Sequence, residues 1–338
     1  MRKIIPIALC VALLMAGCSS HRLSQGRSFR LNRVSFSDLP GWKDEDLNDA
    51  YPALERACIK PQKEWKKFCS GIGEYKYAPS RKLRAYLEKE LTPYQVISYG
   101  NKTGRITGYY ESELTGTRYH QNGTQVPIYG APADYVKGKT YPKRADIEKN
   151  GLDAPIIAWA NDPVDLFLMH VQGSGRMETP NGEIHLGFAG SNNRSFTGIG
   201  QILADEGLLD KVGHSMVQMR AWLKENPDKA RKLLAKNDRY IFFREIQGET
   251  PVGTAGVPLT PFHSVAVDTA YIPMQTPMWL VTTRPDGDQV QTLVVAQDTG
   301  AAIKGGIRAD YFFGHGEHAF SEAGRMNTTG SYYLLLPD

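Results

Sequence analysis

The sequence predicts a mainly β protein with some helices: a barrel whose strands come from both ends of the chain, split around an inserted domain. Three observations carry this. Glycine (33) and proline (20) are scattered through 338 residues, which favours many turns and short strands over long helices. The texture runs from helices with β, through a mixed stretch broken by Gly, Pro and Asn, and back to β from His263. The length suits two domains, and a chain 41% hydrophobic and 22% charged is globular rather than disordered.

The N-terminus reads as an address. Arg2 and Lys3 precede an apolar run, Ile4 to Met15, too short to span a bilayer comfortably. It ends in Leu14-Met15-Ala16-Gly17-Cys18-Ser19, the lipobox pattern of bacterial lipoprotein signals. Residues 1–17 are thus a signal peptide, Cys18 carries lipid, and 18–37 link the anchor to the body. Ser19, rather than Asp, resembles lipoproteins forwarded to the outer membrane, so the expected place is its periplasmic face. Loss of Arg2 and Lys3 lowers the net charge from +4 to +2, which gives no argument for nucleic acid. Cys58 and Cys69 remain after processing, either as a disulfide in the oxidising periplasm or as two buried thiols. The eight histidines are scattered and no CxxC or HExxH occurs, so no metal or other cofactor is expected.

Helices are expected over Asp44–Cys58, with acids clustered at its start, and over Ser80–Leu91, with Ser80 as N-cap. Strands follow at Tyr94–Tyr99 and Arg105–Glu113. Gly108 within the second implies a bulge or a close approach. Tyr109 and Tyr110 point to opposite faces of that strand. The inserted unit, 113–246, has strands at Val126–Tyr129, Ile156–Ala160, Asp165–Gln172, Ile184–Phe188 and Tyr240–Phe243. Its helices are Ile199–Glu206, Ser215–Glu225 and Pro227–Ala235. Pro251–Thr260 reads as a linker back into the body, whose two parts are 38–112 and 247–338. Strands resume at Ser264–Val267, Met278–Thr283, Gln291–Ala296 and Ser331–Leu336.

Chemistry concentrates near the C-terminus. Asp268 and Asp298 end apolar strands, and Asp310 sits between Ala309 and the aromatic run Tyr311-Phe312-Phe313. Apolar neighbours desolvate a carboxyl group and raise its pKa, as a general acid near neutral pH requires. Three such acids also suit Ca²⁺, or are simply turn residues. In the insert, Gln172 and Ser174 of the Gln172-Gly173-Ser174-Gly175 turn offer hydrogen bonds to a polar ligand. Seventeen tyrosines provide aromatic faces of the kind that flank carbohydrate clefts.

The runs Thr107-Gly108-Tyr109-Tyr110-Glu111, Asp162 to Phe167, His170 to Gly175, Gly256 to Thr260, Ala266-Val267-Asp268 and Gln297 to Gly305 occur in the order and spacing of one family. Together they resemble the membrane-bound lytic murein transglycosylase A family, over nearly the whole chain from about residue 38. The resemblance implies a double-psi β-barrel with a smaller β-rich domain inserted, and a groove between them. It implies cleavage of the β-1,4 bond between N-acetylmuramic acid and N-acetylglucosamine in peptidoglycan, closing a 1,6-anhydro ring. It implies Asp310 as the single catalytic acid/base, Asp298 as a supporting acid beneath it and Asp268 as the first of three aspartates. Substrate contacts then fall to Thr107, Gly108, Tyr109, Tyr110, Gln172, Ser174 and Lys304. Its implied partners are glycan strands, the outer membrane through Cys18, and other cell-wall enzymes. The chain departs from the family pattern at Gly190 to Phe196, on the groove edge, and at His263, where arginine is common.

Overall fold

The computed structural model describes residues 28–248 and 251–337; the signal stretch and Cys18 lie outside them. Strand β1 (Phe29–Arg33) runs antiparallel to β2 (Leu91–Ser98). The stretch expected to be linker as far as residue 37 therefore holds a strand, anchored by the buried ring of Phe29. Between them lie helices α1 (Tyr51–Ala57), α2 (Lys66–Ile72) and α3 (Ser80–Glu90). The first is shorter than expected, because Pro52 has no N–H and fits only the first turn. Ser80 does not cap α3; its Oγ accepts from the Leu47 N–H at 2.9 Å. Cys58 and Cys69 form a disulfide with Cα atoms 5.2 Å apart, joining the end of α1 to α2.

The long β3 (Gly104–Thr117) leads into β4 (Val126–Tyr129), α4 (Arg144–Asn150), β5 (Ile156–Ala160) and α5 (Pro163–Gln172). The expected strand at Asp165–Gln172 is thus a helix. An apolar run buried on all sides has no period to tell strand from helix. The deciding signal is local: Asp162 accepts from the Val164 and Asp165 N–H groups as N-cap, Pro163 opens the first turn, and Gly173 closes the last at φ 84°. Strands β6 (Gly175–Thr179) and β7 (Gly182–Ser191) follow. Next come α6 (Ile199–Asp205), α7 (Leu209–Val212), α8 (Met216–Glu225) and α9 (Pro227–Leu234). Last are β8 (Ile241–Ile246), β9 (Ser264–Val267), β10 (Pro277–Thr283), β11 (Gln289–Asp298), β12 (Arg308–His315), α10 (Gly316–Arg325) and β13 (Asn327–Pro337).

Pairing runs from β13 through β10, β11, β9 and β12 to β3, and β3 pairs again with the start of β13. The path returns on itself, with β11–β9 and β12–β3 parallel. From β3 the sheet continues through β6 to β7 and β8. Strands of the closed path are buried on both sides, as β11 shows. Val290, Val294 and Ala296 join a core shared with α5, α6, α8, α9 and α10, while Leu293 and Val295 pack on Trp42, Leu54 and Trp279 beneath the N-terminal helices. Among the described residues no helix is long and apolar enough to cross a membrane.

Candidate active site

Four adjacent strands set one row of residues. In register across the sheet, Asp298 of β11 lies opposite Ala266 of β9, Ala266 opposite Asp310 of β12, and Asp310 opposite Thr107 of β3. Paired residues in a sheet share a face, so the row places two carboxylates either side of a methyl group. With strands about 4.8 Å apart, the two aspartate backbones are about 10 Å apart. A bulge in β11 makes this register: Ala296 pairs with Val265, Gln297 is skipped, and Asp298 meets Ala266. Gln297 turns instead into the body, where its amide accepts from Ser264 Oγ at 2.7 Å and donates to Ala53 O at 3.1 Å.

The row floors a cavity of about 340 Å³ between the closed sheet and the insert. One wall comes from Thr107 to Tyr110 and from His170 to Gly173; the other comes from Thr299 to Ile303 and the end of α10. Gly108 is required here. A Cβ would stand 2.7 Å from the Phe313 ring and 2.8 Å from the Ala323 Cα, so the close approach expected at this glycine is α10 itself. Gln172 lines the cavity and accepts weakly from the Tyr110 N–H at 3.4 Å.

Asp310 has a side chain 20% exposed, with Arg308 Nη1 3.3 Å from its carboxylate. Burial raises its pKa above the ordinary aspartate value; Arg308 and Arg105 oppose the rise, and the charge of Asp298 adds the smallest contribution. Desolvation, not like-charge repulsion, is what favours the protonated form. Asp298 is also raised by burial, although three donors converge on its Oδ1: the Thr254 N–H at 2.9 Å, Thr254 Oγ1 at 2.8 Å and the Thr299 N–H at 2.8 Å. The Tyr109 hydroxyl is buried beside the Asp298 carboxylate. Burial first, then the charges of Asp298 and Asp310, push its pKa well above 10 and keep it a donor.

Not every expected residue is here. Asp268 is buried outside the cavity lining, accepting from the Gly305 N–H at 2.9 Å and the Ala270 N–H at 3.1 Å; it ties down the loop before β12. Lys304 is exposed and, like Ser174, outside the lining. Among the described residues no group of three or more His, Cys, Asp or Glu side chains could hold a metal ion, which removes the calcium reading of the three aspartates. His263 is buried, its Nδ1 2.8 Å from Leu293 O, away from the cavity.

Several contributors were not legible beforehand. Thr254 lies in the stretch taken for a linker. Ala266 carries no chemistry, but its small size keeps the floor open. Phe188 and Phe196, 51% and 36% exposed, and Arg239 line the insert side. Phe188 lies within β7 and Phe196 in the loop after it, and exposed aromatics of this kind mark binding surfaces.

A sheet that closes through β3 and β13, extended by an inserted unit, with buried acids in the groove between, is a shared architecture. A crystal structure of MltA from Neisseria gonorrhoeae in a monoclinic form matches it at TM-score 0.83 and 32% identity, over 93% of this chain and 94% of that one. Escherichia coli MltA with bound chitohexaose matches at TM-score 0.73 and 26% identity, over 93% and 95%. Residues 105–244 match the MltA specific insert domain and 263–336 the 3D domain. A membrane-bound lytic murein transglycosylase A from Vibrio cholerae is 30% identical over 250 residues, 70% of this chain and 67% of the relative. The chain belongs to the membrane-bound lytic murein transglycosylase A family.

Proposed function

We propose that this protein is a peptidoglycan lytic transglycosylase, with Asp310 as its acid/base. The observation that carries the reading is the row of Asp298, Ala266, Asp310 and Thr107 on a cavity floor where burial favours protonated Asp310. Asp310 donates its proton to the oxygen linking N-acetylmuramic acid to N-acetylglucosamine. The C1–O bond breaks through an oxocarbenium-like transition state. The muramyl 6-hydroxyl attacks C1 in place of water, and ionised Asp310 takes its proton. An internal nucleophile is already in place and needs no second carboxylate to activate it. Asp298, tied to Thr254 and Thr299, holds the Thr299–Ile303 wall in position. Tyr109 stands over both acids, and Thr107, Gly108, Tyr110 and Gln172 line the strand's path. That E. coli MltA is known with bound chitohexaose supports a glycan chain lying along this groove.

The same reading extends to the whole molecule. The returning pairing path supports a double-psi barrel built from 38–112 and 247–338, around an insert at 113–246. The lipobox supports an anchor at Cys18 on the periplasmic face of the outer membrane. The test is digestion of purified peptidoglycan by protein lacking residues 1–18, with mass analysis of products. Anhydromuramyl ends are expected, and their absence overturns the reading; reducing ends would mark a hydrolase on the same fold. Asp310→Asn should lose about 100-fold or more of the rate, the span of general acid/base catalysis.

A further inference from the structure

Arg239 stands on the insert wall of the cavity, between α9 and β8. Its backbone is fixed at both ends. The N–H donates to Asn237 Oδ1 at 3.3 Å, and the carbonyl accepts from Arg144 at 3.0 Å. Arg144 is a fully buried brace, held between the rings of Phe167 and Tyr240, and it also donates to His170 Nδ1 at 2.7 Å. Three other arginines near the groove have carboxylates: Arg308 has Asp310, Arg220 has Asp165 and Glu317, Arg176 has Glu111; Arg105 and Arg194 donate to Asn327 and to the Tyr141 carbonyl. Arg239 has no carboxylate among the described residues, and its neighbour Asp238 is held by Lys143 at 3.1 Å. Burial lowers its pKa with no carboxylate opposing. A half-buried guanidinium without a counterion is costly, and such groups in ligand cavities mark binding sites.

We propose that Arg239 receives a carboxylate carried on the muramyl residues of the bound strand, from the lactyl group or from the peptide stem built on it. The proposal rests on the peptidoglycan reading above and adds a specificity to it: carboxylate-bearing strands over plain N-acetylglucosamine polymer. The guanidinium fork matches a carboxylate in two parallel hydrogen bonds, and the cavity wall excludes the water that would otherwise screen them. Phe188 and Phe196 line the same side and offer their faces to the sugars.

The test is calorimetric titration of Asp310→Asn protein, which leaves the strand uncut, with and without Arg239→Gln. Three ligands separate the sources. Chitohexaose carries no carboxylate; amidase-stripped strands carry only the lactyl carboxylate; stem-bearing strands carry only those of the peptide. Arg239→Gln should weaken one of the two carboxylate-bearing ligands by about 10- to 100-fold, the range for a charged hydrogen-bonded pair, and leave chitohexaose within about twofold. Arg239→Lys should recover part of the loss. The thermal midpoint of Arg239→Gln should not fall, because no partner is left stranded. Equal weakening of all three ligands, or of none, overturns the assignment. If the parent binds no glycan at all, the peptidoglycan reading falls and takes this one with it.

Discussion

Replacing Arg176 by methionine should destabilise the protein by about 3 kcal/mol. Glu111, in the strand that carries Tyr109, is 1% exposed, and Arg176 of β6 reaches it with Nε at 3.0 Å and Nη2 at 2.6 Å. The pair joins β3, whose Thr107–Tyr110 segment walls the cavity, to β6 of the insert. Removing one partner of a buried pair leaves the other charge stranded and costs about 3–5 kcal/mol. The lower end applies, because the Arg176 side chain is 16% exposed and shares a weaker contact, 3.4 Å, with the open Glu183. The assay is equilibrium unfolding in guanidinium, read as a shift in midpoint at unchanged slope. A double-mutant cycle isolates the pair: Glu111→Gln with Arg176→Met should be less damaged than Arg176→Met alone, since no charge is then buried. A loss below about 1 kcal/mol in the single variant, the value of an exposed pair, would refute the reasoning. So would a double variant as unstable as the single.

Other outcomes follow from the same contacts. Asp310→Asn should gain stability over the parent as pH rises. Its folded pKa is raised, so the parent's carboxyl favours the fold fully only below the unfolded value of about 3.9, and that contribution fades as pH rises through the folded pKa; thermal midpoints across pH 3 to 8 check the sign. Gly108→Ala pushes β3 against α10 and should cost about 1–3 kcal/mol, as overpacking does, together with activity, since Ala323 and Gly324 line the cavity. Opening the Cys58–Cys69 bond, which spans 11 residues, should cost about 2–3 kcal/mol of stability by the loop-entropy model and leave the initial rate at room temperature intact, measured on the Cys58→Ser, Cys69→Ser double variant. Thr254→Val removes the hydroxyl, one of the three donors to Asp298 Oδ1, and keeps the backbone N–H, so the Asp298 pKa should climb further, and carboxyl NMR titration reads it directly.

What the sequence made legible was whatever is encoded locally. Val126–Tyr129, Ile156–Ala160 and Ser264–Val267 stand where their apolar runs put them, because short β-rich segments between turn residues have few other options. The return to β after the insert was visible in composition alone. Local ambiguity explains the failures as well. The run from Asp165 to Gln172 is buried along most of its length, and its ends, Asp162-Pro163 and Gly173, distinguish a helix there. Strand β12 was hidden because its period is broken by glycine on both sides.

The site itself belongs to another level. Asp298 and Asp310 are twelve residues apart, and their local settings fit turn acids as well as catalytic ones. What separates these readings is register. The strand between the two acids in space, β9, precedes both in sequence, and β3 arrives from the far end of the chain. A skipped residue in β11 decides whether Gln297 or Asp298 meets Ala266, and hence whether the floor carries an amide or an acid. No period in the sequence announces that skip; it is selected by what each side chain finds. Gln297 finds a hydroxyl and a carbonyl inside the body, and Asp298 finds the Thr254 and Thr299 donors at the groove. Replacing Gln297 with leucine would remove the acceptor of the Ser264 hydroxyl and the amide donor to the Ala53 carbonyl. The bulge should then lose its anchor, and the acid its place in the row, even though no residue touching the glycan has changed.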